Sequence, residues 1–238
     1  MKKQFNVLPK LAALSVLAAF AAPAMAQQAG DNVVNVGWAH LGLNQSSEPL
    51  KLGTFTVPNS GAHVSNADTA ILQLTHFFTD NIAVTADLGI PPKFKLSGAG
   101  SLNSLGQLGT ATQWSPAIVA KYFFGDANSQ FRPFVGAGAT YVWYSNIKLT
   151  SSLTGLLGGG DAGASTSADL SSSFAPVGTV GMTYNFDKNW SASFSLSYVP
   201  LDTKADLSTR HSDGTTTHAT TKITLNPLVS ILTVGYKF

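Results

Sequence analysis

Cysteine is absent from all 238 residues, which excludes a disulfide scaffold and any thiolate metal site. Charge is scarce. Only 11% of residues are Asp, Glu, Lys or Arg, against about 25% in an ordinary soluble domain. Beyond the first 26 residues no apolar run approaches the roughly 18 residues of a membrane-spanning helix. Low charge without such a helix suits a chain that meets lipid with alternate residues only. A basic excess is missing too, once the N-terminus is set aside, so nothing is left to follow nucleic-acid phosphates.

The N-terminus has an export pattern. Lys2, Lys3 and Lys10 precede the nearly unbroken apolar run from Leu11 to Ala22, and Ala24-Met25-Ala26 is a small-x-small cleavage site. Positive region, apolar core and cleavage site in that order define a secretory signal peptide. The run is shorter than the about 20 residues a spanning helix needs. Cleavage after Ala26 is expected, with residues 1–26 as signal and 27–238 as a single domain beginning at Gln27. Of the 238 residues 212 then remain, and three of the 14 basic residues are lost, leaving 11 against 12 acidic ones.

Alternation is clearest at 190–200. Trp190, Ala192, Phe194, Leu196 and Tyr198 share one parity; Ser191, Ser193, Ser195 and Ser197 share the other. Successive strand residues face opposite ways, so one face is apolar and the other a serine ladder. Aromatics near both ends of the apolar face match a lipid-facing barrel strand with two interfacial girdles. Seven further segments alternate or run apolar: 32–43, 68–78, 82–92, 113–124, 132–146, 173–186 and 222–238. Eight is an even number, as bacterial outer-membrane barrels have.

The connections sort by length. Thr79–Asn81, Gly125–Phe131 and Asp187–Asn189 are short and carry turn residues. The stretches 44–67, 93–112, 147–172 and 203–221 are long and polar or Gly-rich. Strict interleaving puts all short turns at one end. The expected fold is therefore all-β: an eight-stranded antiparallel transmembrane β-barrel with short periplasmic turns and long extracellular loops. At the C-terminus Leu232, Val234, Tyr236 and Phe238 share a parity and the chain ends on Phe, which resembles the signal read by the barrel assembly machinery.

Four stretches, TDNIAV (79–84), KYFFGDANSQFRPFVGAGATY (121–141), NWSASFSLSYVPLDTKA (189–205) and LNPLVSILTVGYKF (225–238), resemble the OmpW family of outer membrane proteins, with its alkane-uptake relatives. The resemblance implies an eight-stranded barrel with a narrow, partly hydrophobic lumen that takes small apolar molecules across the outer membrane of a Gram-negative bacterium. Expected partners are outer-membrane lipids, the assembly machinery and periplasmic chaperones, and small apolar molecules. At Thr85, Asp87 and the serines of the seventh strand the lumen-facing residues here are polar, against a hydrophobic constriction at those positions.

Eight strands leave room for side chains or one small ligand, which excludes a general diffusion pore. The expected lumen lining includes Thr85, Asp87, Lys121, Ser191, Ser193, Ser195 and Ser197. Asp87 and Lys121 are expected to approach each other in a polar lower lumen. Pro91, Pro92, Pro116, Pro176, Pro200 and Pro227 fall at outer strand ends and only Pro133 near the periplasmic end. Since proline removes ladder hydrogen bonds, the upper wall is the expected weak point for sideways exit. A passive conduit for small hydrophobic molecules is the leading reading; a sealed structural or receptor barrel is the alternative. No cofactor, metal or enzymatic role is expected. His211-Ser212-Asp213 are neighbours in sequence and cannot make a triad without special folding. His40 and His76 lie on adjacent strands and could meet. Gly158-Gly159-Gly160 reads as loop flexibility.

Overall fold

The computed structural model describes residues 27–238; the expected signal peptide lies outside them. Eight long strands form the barrel: β1 (Asn32–Leu43), β2 (Ala67–Phe77), β3 (Ile82–Gly89), β4 (Ala117–Phe123), β5 (Phe131–Leu149), β6 (Ser173–Asn185), β7 (Trp190–Tyr198) and β8 (Pro227–Lys237). Each pairs antiparallel with its sequence neighbours, and β1 pairs with β8, so the sheet has no free edge. A closed sheet is the one β arrangement that satisfies every backbone donor and acceptor in lipid. Among the described residues no helix is long and apolar enough to cross a membrane.

The period of two sorts the faces. On β7, Trp190, Phe194 and Tyr198 are exposed on the outside while Ser191, Ser195 and Ser197 are buried within. On β8, Leu232, Val234 and Tyr236 face outward, and Phe238 just beyond it is exposed. From Trp190 to Tyr198 the strand runs roughly 26 Å along its own axis at ~3.3 Å per residue, or about 20 Å of height at the ~40° tilt of a barrel strand, which fits within the ~25 Å apolar band. Outward-facing polar groups sit near the strand ends: His40 bonds Asp68 at 2.8 Å and His76 bonds Asn32 at 2.9 Å.

The three short connections close tightly. In the last, the Asp187 carboxylate accepts the backbone N–H groups of Asn189 and Trp190, each at 2.8 Å. These bonds favour the ionised form and hold Asp187 below the usual carboxylate range, Trp190 contributing most.

The long connections are more ordered than a polar-loop reading expects. Strands Ser60–Val64, Lys93–Gly100 and Gln107–Trp114 join the upper part of β5 in one sheet. Strands Ser165–Leu170, Asp202–Arg210 and Thr216–Thr224 form a second, with short pieces of the first loop added. A helix, α1 (Ser151–Leu157), packs Leu153 and Leu157 into the apolar space within these loops. The glycine triplet 158–160 is its end rather than a flexible tether: Gly159 and Gly160 take positive φ, 60° and 89°, which glycine adopts at little cost.

Candidate functional site

The periplasmic end of the lumen is closed by aromatic rings. Phe77 on β2, Phe123 on β4 and Phe134 on β5 all point inward and are buried. Phe123 lies 5.0 Å from each of the other two ring centroids. β3, between β2 and β4, offers only the small Ala83 at this level, which leaves room for the rings to meet. Gly181 on β6 makes room on the other side: a Cβ there would lie 2.5 Å from Phe134 Cζ.

Arg132 completes the floor. It has no solvent exposure. Its Nη1 donates to the Gln27 carbonyl at 3.0 Å and its Nη2 to the Asp80 carbonyl, while its guanidinium lies 5.3 Å from the Phe123 ring centroid. The two carbonyls and the ring face recover part of what desolvating the cation costs. A residual cavity of about 20 Å³ lies at this level.

The upper lumen is different. Leu41, Val142, Val177, Val199, Leu201 and Ile231 surround a cavity of about 400 Å³, room for a small molecule. Its lining also includes Leu88, Ile90 and Trp114, which are exposed on the outer face. The cavity therefore reaches the outside of the wall between β3 and β4. The backbone shows why. The β3–β4 ladder stops at Asp87 opposite Ala117, and the next backbone bond above it runs from Gln113 N–H to the Pro92 carbonyl at 3.0 Å. Between these lie Leu88–Pro91 on one side and Trp114–Pro116 on the other. Pro91, Pro92 and Pro116 have no N–H to bridge the gap. Pro133, Pro176 and Pro227 behave differently, holding register positions in ladders opposite Met182, Ala139 and Leu43.

Apolar surface continues upward. Ala62 and Leu96 pack both against the upper-lumen residues and against a leucine cluster of the loops that includes Leu50, Leu102 and Leu108. Within that cluster is a second cavity of about 70 Å³.

The profile of the OmpW family matches residues 28–238. The chain belongs to the OmpW family. It is 33% identical to Outer membrane protein W of Vibrio cholerae serotype O1, with 100% of both chains covered. It is 26% identical to Outer membrane protein AlkL of Ectopseudomonas oleovorans, over 88% of this chain and 83% of that one. The crystal structure of OprG from Pseudomonas aeruginosa superposes with a TM-score of 0.80 at 25% identity, covering 90% of this chain and 99% of that one. This is an outer-membrane barrel, as its relatives are by name.

In this OmpW-family barrel the residues read from sequence as lumen-lining point inward. Thr85 bonds Thr75 at 2.9 Å, Ser193 bonds Thr183 at 2.8 Å and Ser197 donates to Thr179 at 3.0 Å. Ser191 and Ser195 are buried on the same face. Polar groups thus satisfy one another along the wall instead of facing an open aqueous channel.

Asp87 and Lys121 need correcting. Both point inward on adjacent strands, but Asp87 stands opposite Ala117 at the top of the β3–β4 ladder, and Lys121 opposite Ala83 near its bottom. Asp87 accepts a hydrogen bond from Gln73 Nε2 at 2.9 Å; the Lys121 ammonium lies 5.0 Å from the Phe134 ring centroid. They stand four register rows apart along one ladder and do not close to an ion pair. The lower lumen keeps polar lining, with Asn35, Gln73, Thr75 and Lys121 among it, but what closes it is the ring group of Phe77, Phe123 and Phe134. Two of these flank the turn in the 121–141 motif at inward parity, a signal available to a reader who followed parity through the turn.

The histidines also separate. His40 and His76 sit at opposite ends of the β1–β2 ladder. His211 lies 3.6 Å from Asp161 and hydrogen-bonds Thr217 at 3.1 Å, not its neighbours Ser212 and Asp213. Among the described residues no group of three or more His, Asp or Glu is placed to hold a metal ion.

Proposed function

We propose that the protein is a passive conduit that takes small hydrophobic molecules from its extracellular mouth into the upper lumen and releases them sideways into the membrane between β3 and β4. The observation that carries this reading is the 400 Å³ cavity, mostly apolar though Asp87 and Gln113 also line it, that meets both lumen-facing and lipid-facing residues above a floor closed by three phenylalanines. A cargo that enters from above finds no room to continue downward. At the unpaired stretch it finds an apolar route to lipid, so it avoids the periplasm and its hydration cost. The leucine-lined space between the loops supplies an entry, and the membership of the family and the alkane-uptake relatives implied by the motifs support the same class of cargo. The role is transport without chemistry.

The test compares uptake of a labelled medium-chain alkane by cells lacking the protein, cells complemented with it, and cells complemented with Gly89→Trp. The indole at position 89 would fill the unpaired stretch. Complementation is expected to restore uptake and Gly89→Trp to lower it severalfold, at equal amounts of folded barrel in the outer membrane. Equal uptake with and without the protein would favour the sealed structural or receptor barrel. Full uptake by Gly89→Trp would reject the sideways route alone.

A further inference from the structure

The two extracellular sheets differ in charge. In the sheet of Asp202–Arg210 and Thr216–Thr224, acids and bases are interleaved, and Lys222 pairs with Asp202 at 2.8 Å. The sheet of Ser60–Val64, Lys93–Gly100, Gln107–Trp114 and the top of β5 contains no acidic residue at all. Lys93, Lys95 and Lys148 lie on its outer face. Among the described residues none of the three has an ion-pair partner.

Register places them together. Lys93 is opposite Thr112, and Thr112 is opposite Ser145; Lys95 is opposite Thr110, and Thr110 is opposite Lys148. Cross-strand partners share a face. Lys95 and Lys148 therefore flank Thr110 at about 10 Å, two inter-strand spacings, and Lys93 is about 7 Å from Lys95 along the strand. The bulge at Asn146, with φ 50°, keeps Lys148 on this outer face. Three cations in so small an area repel one another unless an anion lies between them.

Height selects the anion. The row immediately below is Trp114 opposite Trp143, rings stacked with centroids 5.6 Å apart and planes 5° apart. Trp114 is fixed by donating its Nε1 to Ser145 Oγ at 3.1 Å. Tyr141 and Phe174 continue this outward aromatic group. Tryptophan and tyrosine mark the membrane–water interface, so the lysines stand one and two pleats above it, about 7 and 13 Å. That is the level of the lipid headgroups in the outer leaflet. Asp68, at the upper end of β2, is already bonded to His40.

We infer that Lys93, Lys95 and Lys148, with Thr110 and Thr112 between them, form a binding site for the phosphate groups of an outer-leaflet glycolipid of the lipid A type, beside the rim of the opening at Pro92. The phosphate oxygens take the ammonium groups and the threonine hydroxyls, and the acyl chains lie on the Trp114–Trp143 surface below. A lone inorganic phosphate would gain the first contact and not the second.

The test is native mass spectrometry of the purified barrel titrated with bis-phosphorylated lipid A, with the same lipid A stripped of phosphate, and with inorganic phosphate. The barrel should retain only the phosphorylated lipid. The triple variant Lys93→Gln, Lys95→Gln, Lys148→Gln should bind it about a hundredfold more weakly, at roughly fivefold per lysine near an anionic surface. Lys204→Gln, Arg210→Gln, Lys222→Gln in the compensated sheet should bind as the parent does. Heat-modifiable gel mobility checks that each variant folds; if the triple variant does not, the three single variants should each show the fivefold loss. Equal retention by the triple variant, or equal retention of the dephosphorylated lipid, would overturn the site. Displacement by inorganic phosphate at lipid-equivalent concentration would overturn the lipid as its ligand.

Discussion

The two ends of the lumen are built on the same eight strands and have opposite interiors. Below, long side chains meet: Phe123 and Phe134 face each other across the β4–β5 pair, Phe77 reaches them past β3, and the tilted rings sit beside an arginine held by carbonyls. Above, the inward positions include Val142, Val177, Val199 and Leu201, which leave a cavity of about 400 Å³, and the ladder between β3 and β4 is interrupted by prolines. Barrel diameter is fixed by strand number and shear, so it cannot account for the difference. Side-chain length and ladder continuity do. A family of barrels can thus keep one scaffold and set the depth of its cavity by a few inward residues.

The contrast would break most visibly if the floor were removed. Phe123→Ala with Phe134→Ala should convert a silent barrel into one that passes ions in planar bilayers, and destabilise it by about 3–5 kcal/mol per ring as in other cores. A parent barrel that already conducts would show that the rings are no seal. Arg132→Leu tests what holds the floor in place. It leaves the Gln27 and Asp80 carbonyls without a charged donor, each such bond contributing about 1.5–3 kcal/mol. A loss of roughly 3–6 kcal/mol in urea unfolding, followed by tryptophan fluorescence in lipid vesicles, is expected for the two bonds together. An unchanged midpoint would mean that the guanidinium is solvated rather than structural.

The smallest effect lies at the top, where Asp161 ties the α1 loop to the tip of the Asp202–Thr224 hairpin. Its carboxylate accepts the backbone N–H groups of Ser212 at 2.7 Å and Gly163 at 2.9 Å. These bonds, Ser212 first, hold it below its ordinary 3.8. A lowered carboxylate value means that the tie is fully present above about pH 4 and is lost as pH falls through the folded value. Hydrogen exchange of the Ser212 amide should be protected at neutral pH and lose protection only under stronger acid than 3.8 implies. Asp161→Asn should remove that pH dependence while leaving the barrel intact. Protection lost already near pH 5 would contradict the direction.

Much of this was legible in the chain. The serine ladder of β7, the outward aromatics, the eight segments and the alternation of short and long connections follow from a period of two and from turn chemistry, both local. Asp87 and Lys121 show the limit. Their parity was readable, but their heights depend on the β3–β4 register, which sets Asp87 against Ala117 and Lys121 against Ala83. The ordered loops were missed for a related reason. Lys93–Gly100 and Gln107–Trp114 alternate weakly, and their pairing with Ser60–Val64 and upper β5 brings together segments far apart in sequence.

By itself, then, the sequence determined which face of each strand meets lipid, because side-chain direction in a strand is decided by neighbouring residues alone. It also determined which end carries the short turns. The tertiary structure decided which inward side chains share a level. Closure with a particular stagger brings Phe77, Phe123 and Phe134 into one layer, though they lie on three strands and up to 57 positions apart. It likewise singled out Pro91, Pro92 and Pro116 among the prolines, because a missing N–H opens a wall only where the facing strand has no other bond to offer.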